Sequence, residues 1–162
     1  MNKREIYELL TAENVDFETT EHAAVYNMEE LAAVKLPYPD RDAKNLFVRD
    51  DKRRDYYLIT VKGDKRVDLK EFRKRYGTRP LTFASPDELL SILGLTPGSV
   101  TPFGALSDKE RKVKIYFDED LLEGSGIIGV HPCDNTATVW LKTTDLIALI
   151  KRHGSNVETV KI

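Results

Sequence analysis

The 162-residue chain is 41% hydrophobic and 32% charged, with a net charge of −2, the composition of a soluble globular protein large enough to bury a core. One cysteine, Cys133, excludes an internal disulfide framework and fits a reducing compartment, and no apolar run approaches the ~18 residues of a membrane span. The start, Met1-Asn2-Lys3-Arg4-Glu5, leads into an amphipathic pattern rather than a secretory apolar core, which predicts a cytoplasmic protein.

Ile6, Leu9 and Leu10 have helical spacing and predict a helix at about residues 2–12. Val15 to Thr20 alternates as a strand, with His22 just beyond it, and Met28 to Val34 reads as a short helix ending before Leu36-Pro37-Tyr38-Pro39. Asn45–Arg49 and Tyr56–Val61 read as a hairpin around the charged turn Asp50–Asp55. Asp68-Leu69-Lys70-Glu71 has capping-box spacing and opens a basic helix to about Tyr76, stopped by Gly77. A short strand at Leu81–Ala84 precedes a second capped helix, from Ser85-Pro86-Asp87-Glu88 to Gly94. Val113–Phe117 alternates as a strand, Asp118–Glu123 fits one helical turn, and strands follow at 126–131 and 136–142. A helix at Thr143–Arg152, closed by Gly154, and a strand at Val157–Ile162 complete the chain. With no repeat or long linker, the pattern predicts one domain over residues 1–162, of α+β or mixed α/β class.

Charge is uneven. Residues 41–80 hold 14 Lys/Arg against 7 Asp/Glu, a local +7 on an otherwise acidic chain. Such a region points to a polyanionic partner met on one face; a solvated, charge-rich surface is the equal alternative.

Three segments carry polar or glycine-bearing entries into apolar runs: Lys44–Asp50, Gly98–Leu106 and Gly129–Trp140. The third is a hairpin that would set His131 at the lip of a sheet. A Cys133/His131 nucleophile pair is conceivable, but residues two apart on a strand share a face without necessarily bonding, and a plain small apolar cysteine is the favoured reading. His22, His131 and His153 are far apart, so no metal site is expected. There is no Gly-x-Ser-x-Gly elbow and no Walker loop. Gly98-Ser99-Val100-Thr101-Pro102 can be merely a turn. Read functionally, glycine admits close approach of a ligand, proline stiffens the loop, and successive peptide N–H groups can face a carbonyl or oxyanion. Lys44 beside such a loop could hold a phosphate.

Taken in order, Glu21-His22-Ala23-Ala24-Val25-Tyr26, Lys44-Asn45-Leu46-Phe47-Val48-Arg49-Asp50, Tyr56-Tyr57-Leu58-Ile59, Gly98–Leu106 and Gly129–Thr138 carry a resemblance over nearly the whole length. The chain resembles the YbaK/prolyl-tRNA-synthetase-associated editing proteins, and within them the freestanding PrdX/ProX-type deacylases of Ala-tRNA(Pro). It departs from many relatives in having Ser107 and Cys133 where asparagine stands. The resemblance implies a mixed, mostly antiparallel sheet packed by helices, and a cofactor-free monomer. The implied substrate is the tRNA(Pro) acceptor end carrying alanine, with prolyl-tRNA synthetase a further partner. By that likeness Gly98, Ser99, Val100, Thr101 and Pro102 form the loop at the aminoacyl carbonyl, Lys44 contacts the terminal phosphate, and Asn45 helps place the substrate. His131 borders the pocket beside Gly129. Val100, Phe103 and Ile128 would limit its size. Removal of cysteine from tRNA(Pro) is the sister reading, and a non-catalytic tRNA-binding or synthetase-accessory module is the rival from another class.

The implied substrate is an ester, and its hydrolysis passes through a tetrahedral oxyanion that loop amides can stabilise. With no protein nucleophile or base evident in the sequence, the free ribose hydroxyl of the terminal nucleotide is the expected guide for the attacking water.

Overall fold

The computed structural model describes residues 1–162. It begins with α1 (Lys3–Ala12), β1 (Glu18–Glu21), α2 (Met28–Ala32), β2 (Ala43–Asp50) and β3 (Tyr56–Lys62). There follow α3 (Leu69–Tyr76), β4 (Leu81–Phe83), α4 (Pro86–Leu93), a 3₁₀ segment Pro102–Ser107 and β5 (Val113–Asp118). A second 3₁₀ turn, Glu119–Leu122, leads to β6 (Ile127–Val130), β7 (Ala137–Lys142), α5 (Thr143–Arg152) and β8 (Asn156–Val160).

Local chemistry sets the ends of the helices. Asn2 caps α1 through a reciprocal pair with Glu5, and Ile6 and Leu10, one turn apart, are its buried residues. Asp68 caps α3, and Gly77 stops it in the left-handed conformation at φ 66°. Ser85 and Glu88 form the capping box of α4, with Pro86 in its first turn. The segment Pro102–Ser107, given no element in the sequence reading, winds into 3₁₀ because Thr101 caps it and Pro102 presets φ.

The strands form two sheets where the sequence reading implied one. The larger has order β4-β2-β3-β5-β8, antiparallel across β4, β2 and β3 and parallel from β3 to β8. The smaller is an antiparallel β1-β7-β6. A single bridge, Asp42 to Gly129, joins them, backed by the Gly129 amide donating to the Arg41 carbonyl. The mixed α/β class is as expected; β6 and β7 form a sheet with β1 rather than adding to an edge of the larger one. The first strand is also shifted, to 18–21 from the expected 15–20.

β3 reads Tyr-Tyr-Leu-Ile-Thr-Val and is buried throughout, as a central strand covered on both faces must be. Leu58 joins the main core with Phe47, Ile115, Phe117, Val139 and Leu149. Tyr57, Ile59 and Val61 face the other way, under Phe72 of α3. Burial of each large apolar side chain contributes roughly 1.5–3 kcal/mol. No helix is long and apolar enough to cross a membrane.

Candidate functional site

β4 pairs with β2 only at residues 48–50, so the first half of β2 has an open edge near the junction of the sheets. A cavity of about 180 Å³ lies there, lined by Ala43, Lys44 and Asn45 of β2, by Gly98 and Val100, and by Gly129, Val130, His131 and Thr138 of the β6–β7 hairpin. Val25, Tyr26, Asn27, Met28 and Leu31 line its remaining wall. It is smaller than the ~300–1,000 Å³ typical of pockets for drug-sized ligands. Residues of three sequence-separated segments thus meet around one cavity.

The hairpin wall is rigid. The Asp134 carboxylate accepts from the Thr136 amide and hydroxyl at 2.8 and 2.5 Å, closing the turn. Asn135 stitches the preceding segment to it: its Nδ2 donates to the Val25 carbonyl at 2.7 Å, and the Val25 amide donates to the Asn135 carbonyl at 3.2 Å. Gly129 pairs across the strands with Trp140, and a Cβ there would sit 2.4 Å from the indole. Glycine at this position is therefore set by the tryptophan.

The cavity's hydrogen-bonding groups fall into two sets. On the donor side, the Gly98–Thr101 loop leaves the amides of Gly98, Val100 and Thr101 without a protein acceptor, whereas the Ser99 amide donates to the Thr96 carbonyl at 3.1 Å. Gly98 and Val100 are the two of these that line the cavity. Asn45, which lines the cavity, accepts from the Thr60 hydroxyl through Oδ1 at 2.7 Å, which leaves its Nδ2 unpaired. Lys44 lines the same wall and makes no ion pair.

On the acceptor side, His131 Nδ1 bonds the Ala137 carbonyl at 2.8 Å and so must carry the proton. Burial holds the imidazole below its ordinary value, assisted by nearby His22 and opposed by the Ala137 bond. His131 Nε2 is then a bare acceptor.

Of the residues singled out in the sequence, Lys44, Asn45, Gly98, Val100, Gly129 and His131 meet around this cavity. Ser99, Thr101, Pro102, Phe103 and Ile128 do not line it; they are buried behind the wall. The Ser99 hydroxyl, like its amide, closes on Thr96, and the Thr101 hydroxyl accepts from the Phe103 amide. Phe103 and Ile128 are core residues that support the wall. Sequence reasoning missed Thr138 and the covering residues Val25, Tyr26, Met28 and Leu31. The Glu21–Tyr26 and Thr136–Thr138 stretches were visible, but nothing local shows that residues 110 positions apart close one cavity.

Cys133 takes φ 61° in the turn, and burial pushes its thiol up to about 11, so it is no thiolate at neutral pH. His22 and His131, distant in sequence, bring their rings to 6.0 Å. Of the fourteen basic residues at 41–80, five are committed: Arg41 to the carbonyls of Leu121 and Ile127, Arg49 to Glu88, Lys65 to Asp118 and Asp120, Arg75 to Glu71, and Arg79 to Asp51. The other nine make no ion pair.

Residues with unpaired amides and a lysine that makes no ion pair thus line one small cavity. The aminoacyl-tRNA editing domain model matches residues 22–149. The chain is 38% identical to the prolyl-tRNA editing protein ProX of Acetoanaerobium sticklandii, over 91% of this chain and 90% of that one. It is 32% identical to the prolyl-tRNA synthetase associated domain-containing protein 1 of Danio rerio, over 92% of this chain and 81% of that one. A crystal structure described as a candidate trans-editing enzyme for prolyl-tRNA synthetase superposes with a TM-score of 0.73 at 25% identity, covering 99% and 96% of the two chains. The chain belongs to the aminoacyl-tRNA editing domain family. It is a hydrolase, an aminoacyl-tRNA deacylase.

Proposed function

We propose that this enzyme acts in trans on tRNA(Pro) mischarged with alanine, hydrolysing the ester at the terminal ribose. The observation that supports the reading is that Gly98 and Val100, whose amides have no protein acceptor, line a small cavity together with Lys44, which makes no ion pair. Likeness to a prolyl-tRNA editing protein over nine-tenths of both chains supplies the tRNA.

In this reading the alanyl carbonyl oxygen lies toward the Gly98 and Val100 amides. Their N–H dipoles are fixed before reaction and stabilise the charge that develops as water adds; one such donor is typically worth ~10²–10³ in rate. Lys44 binds the terminal phosphate and Asn45 Nδ2 steadies the ribose or ester. Cys133 is too weakly acidic to serve as a thiolate nucleophile. The free ribose hydroxyl therefore positions the attacking water, and the enzyme contributes orientation and oxyanion stabilisation. An ester is activated enough for that to suffice.

Discrimination against proline follows from volume. A synthetase pocket shaped for proline gains only ~1–3 kcal/mol per methylene against smaller residues and so admits alanine. In this reading Leu31, Val100 and Val130, which line the cavity, set the limit that admits alanine and not proline. The enzyme works as a cytoplasmic monomer, with prolyl-tRNA synthetase as the source of its substrate. Purified protein should deacylate Ala-tRNA(Pro) and spare Pro-tRNA(Pro); inactivity on both would overturn the reading.

A further inference from the structure

His22 neighbours His131, and its ring also fixes the polarity of one hydroxyl of the cavity lining. Its backbone amide donates to the Thr136 carbonyl at 2.9 Å, which anchors the residue against the hairpin turn. Its Nδ1 lies 2.9 Å from the Ala23 carbonyl and its Nε2 lies 3.0 Å from the Thr138 hydroxyl. A carbonyl can only accept, so Nδ1 carries the proton. In the neutral ring Nε2 must then accept, and the Thr138 hydroxyl must donate to it. Thr138 is 2% exposed and lines the cavity; with its only proton spent on His22, its oxygen keeps lone pairs free to accept.

The β6–β7 register, Gly129 opposite Trp140 and Val130 opposite Val139, sets His131 beside Thr138. His131 has the same arrangement, Nδ1 donating to a carbonyl and Nε2 left bare. The hairpin thus contributes two side-chain acceptors, Thr138 Oγ1 and His131 Nε2, to a lining whose donors include the Lys44 ammonium and the unpaired Gly98 and Val100 amides. An aminoacyl ester has matching polarity. Its carbonyl oxygen accepts, and its α-amino group, one bond from the carbonyl-bearing chain, donates.

We propose that His22 is a positioning residue that holds the Thr138 hydroxyl as an acceptor, and that Thr138 Oγ1 with His131 Nε2 receives the free α-amino group of the substrate. This rests on the functional reading above and extends it: the enzyme selects α-amino acyl esters over acyl esters of equal size. A site built to pair a donor rejects an analogue lacking it, because its buried acceptors are left unpaired.

The test compares alanyl-tRNA(Pro) with the isobutyryl ester on the same tRNA, in which a methyl group replaces the amino group. Each enzymatic rate is divided by its uncatalysed rate, which removes the amino group's own activation of the ester. The wild type should accelerate the alanyl ester about 10²-fold more than the isobutyryl ester. Thr138→Val should bring that ratio to within about threefold of unity, and Thr138→Ser should retain it. His22→Leu should lower the ratio in the wild-type background and leave it unchanged when Thr138→Val is already present. A merely structural role would lower both rates and leave the ratio intact.

Normal turnover of the alanyl ester with equal acceleration of the isobutyryl ester overturns the proposal and leaves the deacylase reading standing. No acceleration of either ester overturns both. Long-range proton–nitrogen NMR of the unmutated protein gives a check independent of how the variants fold. The proton of His22 should sit on Nδ1, and a proton on Nε2 would overturn the proposal.

Discussion

Gly98→Ala probes the loop most sharply. Gly98 holds φ +91°, a conformation that costs an L-residue about 1–3 kcal/mol. A Cβ would also lie 2.9 Å from Tyr26 Cδ1, 3.4 Å from Tyr26 Cα and 3.5 Å from Asn135 Nδ2. The Tyr26 ring is 65% exposed and can swing away, but its Cα and the Asn135 amide are held by the Val25–Asn135 bonds. Those two contacts, at 3.4 and 3.5 Å, are ordinary van der Waals distances, so the strain that remains is the loop's own φ of +91°, and relieving it moves the Gly98 and Val100 amides. Backbone strain alone should lower Tm by roughly 3–10 °C in a chain of this size. A displacement near 1 Å at the reacting centre should cost about 10² in kcat/KM. Gly124→Ala is the control: φ is +62°, but no atom lies within 4 Å of its Cβ and it is remote from the cavity. It should lower Tm comparably and leave turnover alone. Thermal unfolding and single-turnover deacylation read the two effects apart. A folded Gly98→Ala enzyme with turnover within about threefold of wild type would refute the reasoning about this loop.

Lys44→Ala should weaken turnover and reduce the slope of log(kcat/KM) against log[salt] by about 0.7–0.9, one phosphate contact; an unchanged slope would remove Lys44 from phosphate binding. Cys133→Ala should keep most of the activity, since the thiol is held far above neutrality by burial; complete loss would revive thiol nucleophilic catalysis. His131 is held below its ordinary 6.5 by burial, so it remains a neutral acceptor into mild acid. The acid limb of kcat/KM, corrected for uncatalysed hydrolysis, should fall below pH 6.5 and disappear in His131→Ala. The same shift makes the unfolded chain bind its proton at higher pH than the folded one. The stability His131 contributes is present above 6.5 and is lost as pH falls through its folded value, which urea midpoints across that range would show.

What the sequence disclosed follows from how local each cause is. The ends of α3 and α4 were readable because Asp68, Gly77, Ser85, Glu88 and Gly94 act within four residues of the helix they bound. The β2–β3 hairpin was readable from its apolar runs and charged turn. The parallel crossovers from β3 to β5 and from β5 to β8 leave no local trace, since partners such as Leu58 and Ile115 lie far apart in sequence. The site divides the same way. Lys44, Gly98 and His131 stood out by residue type and setting, yet only folding shows that Ser99 spends its amide on Thr96 or that Phe103 and Ile128 face the core. The proximity of His22 to His131, and of Val25 to Asn135, is a tertiary fact that no period in the chain encodes.

The account stands on two peptide N–H groups waiting for an ester oxygen. Titrating the labelled protein with a hydrolysis-resistant 3′-alanylamido adenosine carrying a 5′-phosphate, and following amide resonances by NMR, addresses them directly. The Gly98 and Val100 amide protons should move downfield together on binding, while Ser99, already bonded to the Thr96 carbonyl, stays in place. Saturable binding that leaves Gly98 and Val100 unmoved would contradict the account.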